Sequence, residues 1–193
     1  MKLRLARLLA VAALALPLVV PAARSRADFA LFGSYWENVA RQTAQNDAAA
    51  VRSLLADNHD PNEEDDQGQT GLIIAAKNDN MLIAEMLIKA GAHVDAVDRL
   101  GNTSLHYAAE RNYADMARLL LDSHAAVDPQ NRDGMTPLML AASHGHFEIV
   151  QALLEKGASA TKTDYTGRDA VDWAADSDQT AIAQLLRRAE ARR

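Results

Sequence analysis

The chain has no cysteine, which excludes disulfide staples and thiolate metal sites and suits an oxidising compartment as well as any other. Aromatic residues are also few: three Phe, two Trp and four Tyr in 193 residues. Ala and Leu are plentiful, so close-packed helices are favoured over strands rich in aromatic and β-branched side chains. There is no glycine-rich phosphate loop, no Gly-x-Ser-x-Gly elbow and no His-Glu-x-x-His pattern, and the Ser residues are not expected to be set beside likely bases. The expectation is a protein that is not an enzyme and takes no cofactor or small-molecule substrate. What is present is a hydrophobic content of 49%, enough to bury the core of one domain of ordinary size and too high for disorder throughout.

The first residues read as a targeting segment. Lys2, Arg4 and Arg7 precede an apolar run from Leu8 to Val20, and small residues follow. That order is a secretory signal peptide, here residues 1–27. Ser25 and Ala27 fit cleavage after Ala27, with cleavage after Ala23 as the alternative. The run is interrupted by Pro17 and falls short of the roughly twenty apolar residues that span a bilayer. An uncleaved anchor is the competing reading, and only then would the protein meet a membrane. The expected location is the bacterial periplasm. Removing residues 1–27 takes away five basic residues and no acidic one, moving the formal charge from −6 to −11. Nucleic acid and anionic membrane surfaces are thus expected to be poor partners, since both are bound largely through Lys and Arg.

Internal repetition carries most of the information. Gly68, Gly101, Gly134 and Gly167 are spaced by 33 residues. Asp65, Asp98, Asn131 and Asp164 stand three positions earlier, and Thr70, Thr103, Thr136 and Asp169 two positions later. The pairs Ala75–Ala76, Ala108–Ala109, Ala141–Ala142 and Ala174–Ala175 follow, where small side chains let neighbouring helices approach closely. A second apolar pattern, Leu87–Ile88, Leu120–Leu121, Leu153–Leu154 and Leu186, predicts the buried face of a second helix. Gly91 and Gly157, with His124 between them in register, mark its left-handed end. Asp79, Asn112, Gly145 and Asp178 supply the tight turn between the two helices.

This pattern, Asp-x-x-Gly-x-Thr-x-Leu with paired Ala and a late Leu-Leu-x-x-Gly-Ala, resembles the ankyrin-repeat family. The clearest unit contains Asn131, Gly134, Thr136, Pro137, Leu138, Ala141, Ala142, Gly145, His146, Leu153, Leu154, Gly157 and Ala158. The preceding unit has Thr103, Leu105 and His106 but carries Ser104 where proline is usual. The resemblance implies an all-α solenoid of helix-turn-helix units joined by short hairpin loops. Residues 28–193 form the expected repeat domain, with a degenerate unit over 34–64, full units over 65–97, 98–130 and 131–163, and a capping unit over 164–193. Trp36 and Val39 are expected to cover the open end of the first unit, and Phe29, Leu31 and Phe32 to favour a strap over it.

The resemblance also implies function: such repeats bind other proteins through hairpin tips and the exposed side of the first helix. Those positions here are Gln67, Gln69, Arg99, Leu100, Asn102, Arg111, Arg132, Asp133, Met135, His144, Tyr165 and Arg168. Leu100, Met135 and Tyr165 stand out as apolar or aromatic groups expected at loop tips among arginines, the mixture enriched at interfaces. A monomer is expected to bind one partner protein. His144 and His146 lie close together, but they fall on the turn sequence of the repeat, and His106 occupies the family's structural histidine position, so no metal site is expected. The acidic stretch Asp57 to Asp66 has Asp65 where an EF-hand loop counted from Asp60 requires glycine, so a solvated loop is the expected reading.

Overall fold

A computed structural model describes residues 38–191. The segments 1–37 and 192–193 lie outside the described residues, and with them the signal segment, the strap and Trp36. Among the described residues there are ten α-helices in five antiparallel pairs. The pairs are α1 (Val39–Ala44) with α2 (Ala48–Ala56), α3 (Gly71–Lys77) with α4 (Met81–Lys89), α5 (Ser104–Glu110) with α6 (Ala114–Asp122), α7 (Pro137–Ser143) with α8 (Phe147–Glu155), and α9 (Ala170–Asp176) with α10 (Thr180–Glu190). No strand occurs among these residues; Glu64 and Thr70 make one isolated bridge. The first helices stack in chain order from α1 to α9, and in the second layer α2 packs on α4, α6 on α8 and α8 on α10. The fold is the all-α solenoid that the 33-residue period implies.

Each helix starts and stops for a reason legible in its residues. Thr70, Thr103, Thr136 and Asp169 cap α3, α5, α7 and α9, their side-chain oxygens accepting the backbone N–H three residues on. The second helices end in the left-handed conformation at Gly91, His124 and Gly157, with φ of 89°, 65° and 91°. Asp79, Asn112, Gly145 and Asp178 are left-handed too, reversing the chain between the helices of each pair.

The core lies between the two helix layers. Leu72, Leu105 and Leu138 on the first helices face Leu87, Leu120 and Leu153 on the second, all buried. Ala75, Ala76, Ala108, Ala109, Ala141 and Ala142 are fully buried between successive first helices. Ala174 follows the rule, but Ala175 is exposed, because no further first helix follows α9 among the described residues. Val39 is buried at the other end. No helix among the described residues is long and apolar enough to cross a membrane.

Candidate protein-binding surface

The loop before each first helix is a tight hairpin built around one acidic or amide side chain. The Oδ1 atoms of Asp65, Asp98, Asn131 and Asp164 each accept the backbone N–H groups two and four residues later, at 2.8 to 3.0 Å. The backbone N–H of the same residue returns to the carbonyl four residues on, and the following glycine turns the chain at φ between 73° and 85°. Every hairpin tip is thereby fixed, which is what lets its outward side chains differ from unit to unit.

Neighbouring hairpins are tied together. The Arg99 guanidinium donates to the Asp66 carbonyl at 2.9 Å. The Arg132 N–H donates to Leu100 O at 3.0 Å and the Tyr165 N–H to Asp133 O at 3.3 Å. Tyr165 also lies on Gly134, where an added Cβ would come within 2.6 Å of the Tyr165 nitrogen and 2.8 Å of its ring. The tips therefore form one continuous ridge. A second ladder runs behind it: Asn62, Asp95 and Asp128 accept the backbone N–H of His93, Ala126 and Ser159 in the next unit.

The structure sorts the twelve residues singled out in the sequence into three groups. Gln67, Arg99, Leu100, Arg132, Asp133 and Tyr165 are exposed on the ridge, Leu100 and Tyr165 at 60% and 72%. Arg111 and His144 are exposed at the ends of α5 and α7. Gln69, Asn102, Met135 and Arg168 are half-buried at the hairpin base. Met135 thus does not join Leu100 and Tyr165 at a loop tip. It follows the turn glycine rather than preceding it, so its side chain packs against the core, and its carbonyl accepts the His106 Nε2 hydrogen at 3.1 Å. Val97, 54% exposed on a hairpin stem, was missed; its signal was an apolar residue in register with Glu64, Gln130 and Thr163.

Behind the ridge sit two pairs of an acid with an aromatic residue. Asp98 Oδ2 accepts the Tyr107 hydroxyl, and nine residues separate Asp164 from Trp173 as well, whose indole Nε1 donates to Asp164 Oδ2 at 3.0 Å. A cation covers each ring: Lys77 Nζ lies 5.0 Å from the Tyr107 centroid and the Arg168 guanidinium 3.6 Å from that of Trp173. Burial alone would raise the Asp98 carboxyl, but hydrogen bonds from Tyr107 and from the Asn102 and Leu100 amides outweigh it and hold it below the ordinary value. Asp164, opposed by burial but bonded by Thr166, Arg168 and Trp173, is lowered to about 2. Burial, with the bond to Asp98, pushes the Tyr107 hydroxyl up to about 12. These hydrogen bonds hold the hairpins onto the first helices.

The histidines are accounted for in the same terms. His106 is buried, its Nδ1 accepting the Thr103 N–H at 3.1 Å while Nε2 donates to Met135 O. Desolvation lowers its pKa. Contrary to the expectation for Ser, Ser143 Oγ lies 3.0 Å from His144 Nδ1, both sharing the Leu140 carbonyl at the end of α7. His144 and His146 stack with centroids 5.6 Å apart, and His146 Nε2 donates to Glu110 O at 3.0 Å. Among the described residues no three His, Cys, Asp or Glu side chains are grouped to hold a metal. The acidic stretch is dispersed onto separate partners: Glu63 accepts the Val39 N–H, Asp60 that of Asn62, Asp65 its own hairpin, and Asp66 pairs with Arg41 at 2.9 Å. A cavity of about 140 Å³ between α8 and α10 is lined by Leu154, Ala158, Ala160, Thr161, Ala189 and Glu190, away from His144 and the ridge.

A stack of helix pairs, each packed on its neighbours, with outward hairpins between them, defines a helical repeat protein of the solenoid class. The family model for ankyrin repeats (3 copies) matches residues 39–133 and 123–192, so the chain belongs to the ankyrin-repeat family. Ankyrin repeats are generally protein–protein interaction modules and typically not enzymes. No curated protein matches the chain.

Proposed function

We propose that the hairpin ridge and the exposed ends of the first helices bind a partner protein, and that the chain serves as an adaptor or accessory factor in the bacterial envelope. The observation that carries this reading is the exposure of Leu100 and Tyr165, at 60% and 72%, on hairpins held rigid by their own hydrogen bonds. An apolar side chain on a rigid, solvent-facing support loses little entropy when a partner covers it. Arg99, Arg132 and Asp133 beside them supply polar contacts, and Gln67, Arg111 and His144 extend the surface along the stack. Gln69, Asn102, Met135 and Arg168 shape its floor. We take the binding unit to be a monomer comprising residues 28–193, its repeats bounded as the 33-residue period places them.

The test is affinity capture from the native envelope with the full chain, comparing wild type with a Leu100→Glu, Tyr165→Glu variant of unchanged helicity. A protein recovered by wild type and lost with the variant supports the reading; the same protein recovered equally by both places the interface elsewhere. The envelope location rests on the order of Lys2, Arg4, Arg7 and the run Leu8 to Val20. That apolar run also favours a second reading, a scaffold tethered to the inner membrane by an uncleaved N-terminal segment. N-terminal sequencing of the protein from its own cells separates the two: a start at Asp28 or Arg24 supports export with cleavage, and a start at Met1 supports the tether.

A further inference from the structure

Ion pairing divides the cations of the three central units by face. Eight basic residues lie between 65 and 163. Lys89, Arg118 and Lys156, on the second helices or at their ends, each reach a carboxylate. Lys162 donates to the Asp128 carbonyl away from the tips. The other four, Lys77, Arg99, Arg111 and Arg132, lie on the hairpin tips or at the ends of the first helices, and none pairs with an acid. Lys77 donates to Gln69 Oε1 at 3.1 Å, Arg99 to Asp66 O at 2.9 Å and Arg111 to Lys77 O at 3.2 Å. The Arg132 side chain is exposed.

The nearby acids match these cations in number but form no ion pair with them. Asp66 is spent on Arg41, and Asp98 and Asp164 are buried in their own turns. Glu64, Asp79, Glu110 and Asp133 are the exposed acids of this surface, four against four, so it is balanced and not acidic. In a chain of formal charge −6 the acid excess therefore lies elsewhere. A guanidinium bonded to a backbone carbonyl keeps its full charge and free N–H groups for a partner's carboxylate. Leu100 stands beside Arg99 and against Arg132, and Tyr165 follows one hairpin on, so apolar anchors alternate with cations along the ridge.

We infer that the partner presents an acidic, extended segment whose carboxylates meet Arg99, Arg111 and Arg132 and whose apolar side chains cover Leu100 and Tyr165. This rests on the ridge being the protein-binding surface. Adjacent first helices pack about 8–10 Å apart, so Arg99 to Tyr165 spans two steps. An extended chain rising about 3.3 Å per residue covers that distance with roughly six residues.

The experiment is selection of displayed random peptides on the full chain, with binding of the recovered peptides then measured on wild type, Arg99→Glu/Arg132→Glu and Leu100→Glu proteins, all checked for unchanged thermal midpoints. The inference expects acidic peptides carrying Leu, Ile or aromatic residues, weakened about tenfold or more by the charge reversal, and by Leu100→Glu. Recovery of neutral or basic peptides that Leu100→Glu still abolishes overturns the acidic partner and leaves the binding surface standing. Acidic peptides that bind the charge reversal undiminished overturn it as well, as does single-stranded DNA binding the ridge more tightly than the peptides. If no recovered peptide depends on Leu100, Arg99 or Arg132, the binding surface falls together with the inference.

Discussion

The Trp173 indole donates to Asp164 Oδ2 at 3.0 Å, and the Tyr107 hydroxyl makes the same bond to Asp98 two repeats earlier in the chain. In both units the hairpin spends Oδ1 on its own backbone and leaves Oδ2 for the first helix. In the unit between them the hairpin residue is Asn131 and the helix position is Leu140; there the amide donates to Asn102 Oδ1 at 2.9 Å instead. In these three units the residue at the head of the hairpin is thus matched to what the helix behind it offers, whereas Asp65 has Ile74 nine residues on and finds no such donor. Tyr107→Phe removes the donor and leaves a buried carboxylate oxygen short of a partner, with an expected cost of about 1–3 kcal/mol. Urea unfolding measures it, and a loss below a few tenths would show the bond to be dispensable.

The same groups set the acid response. Asp98 and Asp164 have carboxyls lowered by folding, so the unfolded chain takes up protons first and their stabilisation, complete well above pH 3.8, is lost as the pH falls through the folded value. For Asp164 that window runs from 3.8 to about 2. His106 is lowered below 6.5 by burial, so the unfolded chain also binds this proton first, and a separate loss begins as the pH drops below 6.5. Thermal midpoints between pH 8 and 2 are expected to fall in two stages. Trp173→Phe raises the Asp164 carboxyl and shrinks the lower one; His106→Gln, by removing the titrating group, abolishes the upper one whatever its direct effect on stability.

Ser104 carries the one buried side-chain polar atom without a hydrogen-bond partner among the described residues. It is the first residue of α5, where Pro137 begins α7. Thr103 before it is extended, with φ −87° and ψ 170°, close to Thr136 before Pro137 at −97° and 162°. Proline is therefore compatible with the backbone at this position. Ser104→Pro removes the orphaned hydroxyl and stiffens the unfolded chain, and is expected to stabilise the protein by about 0.4–1 kcal/mol. Calorimetry checks this, with Ser104→Ala separating the hydroxyl from the ring.

Met135 and Leu100 are expected to respond differently to the same substitution. Leu100→Glu places a carboxylate in water and is expected to change stability by no more than about 0.5 kcal/mol. Met135→Glu forces one against the core beside the His106 contact, with an expected cost of about 1–3 kcal/mol. Parallel denaturant titrations of the two variants decide the matter; equal effects would put Met135 back at the surface.

That difference marks where reading the sequence stopped. The period of 33, the caps at Thr70, Thr103, Thr136 and Asp169, the alanine pairs and the left-handed turns are local and recur in four units, so each could be read from one position and checked at three others. Ala175 broke its own pattern because burial of the second alanine depends on the unit that follows, which no local signal records. Met135 looked like Leu100 by composition, and only its place after the turn glycine separates a hairpin base from a tip. The bonds from Tyr107 and Trp173 were visible as a nine-residue spacing in two units of four, too sparse a recurrence to suggest a contact without the fold.

The central claim is that the ridge at Leu100, and not the second-helix face, meets the partner. The most direct measurement installs a photocrosslinking residue at position 100, or in a separate protein at position 82, where Leu82 on α4 is 54% exposed, and irradiates living cells of the source organism. The account predicts a discrete adduct from position 100, its partner peptide identifiable by mass spectrometry, and none of the same mass from position 82. An adduct formed from position 82 alone would contradict it.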